Sequence, residues 1–332
     1  MAGLSQTHHA PDGSFRNPWP DSVPHGFGDL LRWMRERRGQ PRTPTPARGS
    51  FPTTAPFVAH PRAAHDVATA TWIGHSTVLL QVGGLNILSD PMWSERAFPV
   101  QWAGPRRVMP PAMALEALPP LDIVLLSHSH YDHFDKATVR RLATLHPRTT
   151  WIVPLKLGAY LRGFGVRTII ELDWWQSVEV DGIVISATPA RHFSARRFRD
   201  RNRTLWCGFA LEVGGRRLYF AGDSAYHPEF AAIGERHGPF NLVMMPIGAY
   251  DPRWFMHIVH VNPEEAVQAY ADLLSAHRDA PPPLMLGIHW GTFRLTDEPM
   301  EEPPVRTRAA WNERGLATDR LWIARFGETR AL

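Results

Sequence analysis

Fifteen residues decide how this chain is read: 121-LDIVLLSHSHYDHFD-135. The apolar run from Leu121 to Leu126 has the length and make-up of a buried strand. It gives way at once to His128, His130, Asp132 and His133. Imidazole and carboxylate together suit zinc, iron or manganese, and the lack of cysteine among them argues against a structural zinc knot. In extended backbone His128 and His130 point the same way, because side chains two apart share a face. Asp132 and His133 are neighbours and reach a second point after the chain turns, so one short loop can serve two metals. The plain alternative is a set of hydrogen-bonding surface histidines. The convergence of so many ligand types just past an apolar strand argues against it.

A metal needs ligands from elsewhere, and three stretches offer them: His192 in "ATPARHFS", Asp223 in "YFAGDS" and His289 in "LGIHWGT". Each follows an apolar run, as His128 does. The rest of the pattern is mixed. "TWIGHSTVLLQVGGLNILSD" reads as strand, Gly-Gly turn and strand, and two further hairpins turn at Asp181-Gly182 and Gly214-Gly215. "TTWIVP", "FNLVMMPIG" and "PLMLGIHWGTF" read as strands, and "RLWIARFGE" closes the chain. Helices are predicted over 136–145, over 156–164, and through "NPEEAVQAYADLLSAH", where Asn262 is the expected N-cap and Pro263 the first helical residue. This order predicts an α/β fold of two packed sheets with helices outside, and polar groups at the strand ends where loops build sites.

The chain has 332 residues, room for one large domain with a substantial core or for two modest ones. Hydrophobic residues make up 44% and charged residues 20%, which fits a globular protein. The formal charge is +4, too small an excess to point to nucleic acid. Cys207 is the only cysteine, so no intrachain disulfide forms, and its expected role is a small buried apolar one. No run approaches the roughly 18 apolar residues of a membrane span, and no basic-then-apolar leader opens the sequence. The expected location is the cytoplasm, with peripheral contact at the inner membrane surface left open. Residues 1–61 read as a Pro-rich N-terminal extension and 62–332 as the main domain. Within the extension, "GFGDLLRWMRERRG" is a short amphipathic helix that either docks on the main domain or touches lipid.

The order of these motifs resembles the metallo-β-lactamase superfamily, whose members are mostly binuclear metallohydrolases. The resemblance implies an αββα sandwich of two mixed sheets. It further implies that His128, His130 and His192 hold one metal, that Asp132, His133 and His289 hold a second, and that Asp223 bridges them. The cofactor is then a pair of divalent ions, zinc by expectation with manganese or iron as alternatives. His130 stands where the di-iron redox members carry a glutamate, which favours hydrolysis.

Beyond the ligands, "FRNPWPDSVPHGFGDLLRWMRER", "WIGHSTVLLQ", "SDPMWSERAFPVQWAGPRR", "MPIGAYDPRWFM", "HVNPEEA" and "IHWGTFRLTDEP" resemble the phospholipases D that hydrolyse N-acylphosphatidylethanolamine. The similarity runs from about Phe15 to the C-terminus. It implies that Asp90 orients a ligand histidine, that His260 assists the substrate phosphate or leaving group, and that Tyr131 faces the substrate cavity. Asp132, His260 and Asp90 are thus the expected catalytic set. Val259 departs from the glutamine of the mammalian members. Around His192, Arg191 belongs to an arginine-rich loop that can form a cationic rim for a phosphate or an anionic bilayer. Trp93 is one of several loop aromatics compatible with an acyl-chain pocket.

The implied reaction is hydrolysis of N-acylphosphatidylethanolamine to N-acylethanolamine and phosphatidic acid. A hydrolase of a small soluble ester, such as a sugar-phosphate lactone or an organic phosphodiester, is the second reading. A metal- or membrane-binding protein without turnover is the third. The expected partner is a phospholipid or other phosphodiester, not nucleic acid, and a homodimer is left open.

Overall fold

The computed structural model describes residues 7–22, 25–39, 43–197 and 199–332. The first sheet takes β1 (Thr69–Gly74), β2 (Thr77–Val82), β3 (Leu85–Ser89), β4 (Ile123–Leu125), β5 (Thr150–Pro154) and β6 (Thr168–Leu172). The second takes β7 (Ser177–Val180), β8 (Ile183–Thr188), β9 (Gly208–Val213), β10 (Arg216–Phe220), β11 (Leu242–Pro246), β12 (Leu284–Ile288) and β13 (Leu321–Trp322). The last strand, β14 (Thr329–Ala331), returns to the first sheet and pairs antiparallel with β1. The spatial orders are β14-β1-β2-β3-β4-β5-β6 and β13-β12-β11-β10-β9-β8-β7.

Side-chain alternation explains the layers. Along β2 and β3, Val78, Leu80 and Ile87 enter the large core shared with the second sheet, while Leu79 and Leu88 face the other way. In β4 and β5, Ile123, Leu125 and Ile152 point inward, and Val124, Trp151 and Val153 point outward. Both faces are covered, so these strands read as continuous apolar runs rather than as polar–apolar alternation.

The helices are α1 (Phe27–Gly39), α2 (Lys136–Leu145), α3 (Gly158–Arg162), α4 (Glu229–His237), α5 (Arg253–Met256), α6 (Pro263–Leu273) and α7 (Glu302–Glu313). Val139 and Leu142 of α2 and Leu161 of α3 cover the outer face of the first sheet. On the second, α6 lies against β11 and is flanked by α4 and α7. Helix α6 starts in a full capping box: Asn262 accepts from the Glu265 backbone, and the Glu265 side chain returns to the Asn262 N–H.

The structure differs from the sequence reading at several elements. "TWIGHSTVLLQV" is two strands, because the chain reverses at His75, whose φ is 53°, and Ser76. Strands β6 and β14 and helices α4, α5 and α7 are additions, and the helix expected over 156–164 contracts to α3.

The described residues ahead of 62 pack on the sandwich. Phe15 and Phe51 are buried in its main core. His8 and His9 each bond one oxygen of Asp173, at 2.7 and 2.8 Å. Helix α1 is fastened by Trp33 and Arg37 to Asp297, and Glu36 accepts from Trp254. Its Leu30, Leu31 and Met34 remain exposed. Among the described residues no helix is long and apolar enough to cross a membrane.

Candidate metal centre

Parallel pairing aligns strand ends, and the polar residues gather there. Strands β3, β4 and β5 run parallel in the first sheet, and β10, β11 and β12 do so in the second. Asp90 follows β3. His128, His130, Asp132 and His133 follow β4, His192 follows β8, Asp223 follows β10 and His289 follows β12. Gly222 makes the close approach of Asp223 feasible. Its φ is +62°, and a Cβ there would lie 2.8 Å from the Ser127 Cβ. Only glycine therefore lets Asp223 come this close to the β4 loop.

Two half-sites result. In the first, His130 Nδ1 lies 2.9 Å from His128 Nε2 and 3.1 Å from His192 Nε2. In the second, Asp132 Oδ2 lies 3.5 Å from His133 Nε2 and 3.4 Å from His289 Nε2. One atom, Asp223 Oδ2, belongs to both. It is 3.8 and 3.9 Å from His128 and His192, and 3.0 and 3.1 Å from His133 and His289.

Surrounding groups fix which nitrogen faces inward. His133 Nδ1 is 2.6 Å from Asp90 Oδ2, and His192 Nδ1 is 2.8 Å from the Val259 carbonyl. His128 Nδ1 meets Ser127 Oγ at 2.9 Å, and that hydroxyl donates to Asp90 at 2.6 Å. Each contact leaves Nε2 free to face the cluster, as a metal ligand requires. Asp90 itself is fully buried and also accepts from the Ser127 backbone. Burial pushes its carboxyl up, against the pull of His133 and Ser127.

The donor set fits divalent metal. His133 Nε2 and His289 Nε2 lie 3.0 and 3.1 Å from Asp223 Oδ2, yet neither they nor Asp223 Oδ1 make an aligned hydrogen bond although all three are buried, which is costly for polar atoms unless a ligand takes them up. Burial and neighbouring imidazoles lower His130 to about 3, and burial lowers His192 to about 4, so both are neutral donors at pH 7. Burial also opposes charge on His289, but Asp223 and Asp132 outweigh it and hold its proton to about 9. A cation in the second half-site takes the place of such protons.

The remaining expected residues are placed as follows. His260 is buried with its ring 5.0 Å from His192 and 5.3 Å from His289, and its Nδ1 has no partner. Tyr131 donates to the Arg196 carbonyl at 2.8 Å and borders a cavity of about 330 Å³ with Lys136, Arg140 and Arg197. Arg191 is turned to the N-terminal segment, donating to Ser22 Oγ and the Tyr226 carbonyl. Trp93 donates to the Met113 carbonyl and packs on the outer cluster of the first sheet. Cys207 is buried beneath the site, and burial pushes its thiol well up.

Two features stand out less in the sequence. Arg196 donates to the carbonyls of Ser129 and Phe134 and lies over the Tyr131 and Phe134 rings, at 4.1 and 4.2 Å, bracing the metal loop. A second cavity, about 320 Å³, is walled by Arg16, Trp19, His192, Phe193, Arg201 and Val259, so the N-terminal segment forms one side of it.

Residues 85–290 match the model of the β-lactamase superfamily domain, and the chain belongs to that superfamily. Within it, an N-acyl-phosphatidylethanolamine-hydrolyzing phospholipase D of Caenorhabditis elegans is 43% identical over 76% of this chain and 72% of its own length. An uncharacterized protein of Mycobacterium tuberculosis is 46% identical over 72% of this chain, which spans 63% of that relative. Among solved structures, a metallo hydrolase of the archaeon Ignicoccus hospitalis shares the fold, with TM-score 0.59 and 21% identity, covering 80% of this chain and 98% of its own.

Proposed function

We propose that the protein is a binuclear metal-dependent phosphodiesterase that hydrolyses N-acylphosphatidylethanolamine to N-acylethanolamine and phosphatidic acid. The observation that carries the reading is the pair of half-sites sharing Asp223 Oδ2. The similarity to the C. elegans enzyme supports the substrate class.

His128, His130 and His192 would hold one ion, Asp132, His133 and His289 the other, and Asp223 both. When bound, such a pair supplies Lewis acidity that activates water at neutral pH and offsets charge growing at phosphorus. The chain's own groups do the rest. Asp90 and Ser127 lock the ligand rings of His133 and His128. The buried His260, beside His192, can donate a hydrogen bond to a phosphate or leaving-group oxygen that enters there. Arg16 and Arg201, on the wall of the adjoining cavity, attract an anionic diester. Trp19, Phe193 and Val259 offer it apolar surface.

The test is turnover of N-acylphosphatidylethanolamine by the zinc-loaded protein, with products read by mass spectrometry. N-acylethanolamine together with phosphatidic acid is expected. Turnover only of a small soluble diester would move the reading to an enzyme of soluble esters.

A further inference from the structure

His75 is a buried imidazole at the centre that neither the ligand set nor the proposed mechanism uses. Its relative exposure is 1%, and its Nε2 lies 3.1 Å from Asp132 Oδ2. Its ring stands 4.1 Å from His289 and 5.2 Å from His133. Together His75, Asp132, His133 and His289 present four donor atoms within 4.8 Å of one another.

The local backbone is built around this placement. His75 sits at φ 53°. Side chains other than glycine seldom adopt that conformation, and it concentrates at functional positions. Its N–H donates to Thr292 Oγ1 at 2.8 Å, and its carbonyl accepts from Trp72 Nε1 at 2.8 Å and from the His289 N–H at 3.1 Å. His289 is also left-handed, at φ 61°. Thus the turn that presents His75 is bonded directly to the backbone of a ligand in the second half-site. A ring needed only to fill space would not require a polar nitrogen aimed at a carboxylate.

We infer that His75 is a positioning residue for the second half-site: its Nε2–H donates to Asp132 Oδ2 and holds that carboxylate between His133 and His289. The inference rests on the binuclear reading above. Supporting groups of this kind set metal affinity, and their loss typically weakens it about 10–100-fold.

Zinc titration calorimetry on the metal-stripped 332-residue chain tests it, with the melting temperature of the metal-free form as a control. His75→Phe keeps a ring against His289 and Phe293 but removes the N–H, and His75→Gln retains a donor of similar reach. The wild type is expected to bind two ions. In His75→Phe the first should bind as before and the second about 10–100-fold more weakly, with partial recovery in His75→Gln and unchanged melting. Wild-type affinity for both ions in His75→Phe overturns the inference. So does equal weakening of both, or a glutamine variant no better than phenylalanine. A single ion in the wild type overturns the binuclear reading, and this inference with it.

Discussion

Asp223 is the residue whose loss should do most damage, because one of its oxygens faces four imidazoles from two half-sites. Asp223→Ala is expected to lower bound metal from about two ions per chain to less than one, read by plasma mass spectrometry, and to reduce turnover by at least about 100-fold. Asp90 acts one step back. Asp90→Asn keeps the shape but exchanges a carboxylate that accepts from His133 and Ser127 for an amide. About 10–100-fold weaker metal binding is expected, measured by competition with a chromogenic chelator. The seven candidate ligands are legible in the sequence because each follows an apolar strand. His75 is ambiguous there, since a histidine in "GHST" reads equally as a turn residue. Only the left-handed turn between β1 and β2 shows which way its ring points. Arg191 and Trp93 illustrate the converse. Neighbourhood in sequence sets them beside the site, while their hydrogen bonds turn them to Ser22 and to the Met113 carbonyl.

At the scale of elements, the capping box of α6 fixes the stretch that carries His260. Asn262→Ala releases the Glu265 N–H at the start of this helix. Loss of such a cap is expected to cost about 0.5–2 kcal/mol in urea unfolding. In the strand that feeds the metal loop, Leu125 is fully buried between the sheets. Leu125→Ala should cost about 2–5 kcal/mol by the same measurement. The helix at 136–145 is plain from the sequence, and the structure adds its cap, Asp135 accepting from Ala137. Strand β6 is not legible. It is a half-exposed edge strand of five residues, so its apolar signal is weak. Helix α7 is hidden by Pro303 and Pro304, which look like breakers but sit in the first turn, where their missing N–H groups cost nothing.

At the scale of the molecule, the segment ahead of residue 62 is tied to the sandwich at several points, which its Pro-rich composition does not reveal. Removing residues 1–60 would strip Phe15 and Phe51 from the core. Overall stability, not turnover alone, is expected to fall, as circular dichroism would show. The clasp of His8 and His9 on Asp173 carries a pH dependence. Burial raises the Asp173 carboxyl, but the two histidines outweigh it and hold it below its usual 3.8. A depressed carboxylate contributes stability above the unfolded value, and that contribution fades as pH falls through the lower folded value. Asp173→Asn should therefore narrow the stability gap between pH 6 and pH 3 relative to wild type, tracked by thermal unfolding. The binuclear assignment itself stands or falls on anomalous diffraction at the zinc edge from crystals grown with zinc. Two peaks flanking Asp223 are expected, one against His128, His130 and His192 and one against Asp132, His133 and His289. A single peak, or a pair that leaves Asp223 out of contact, would contradict it.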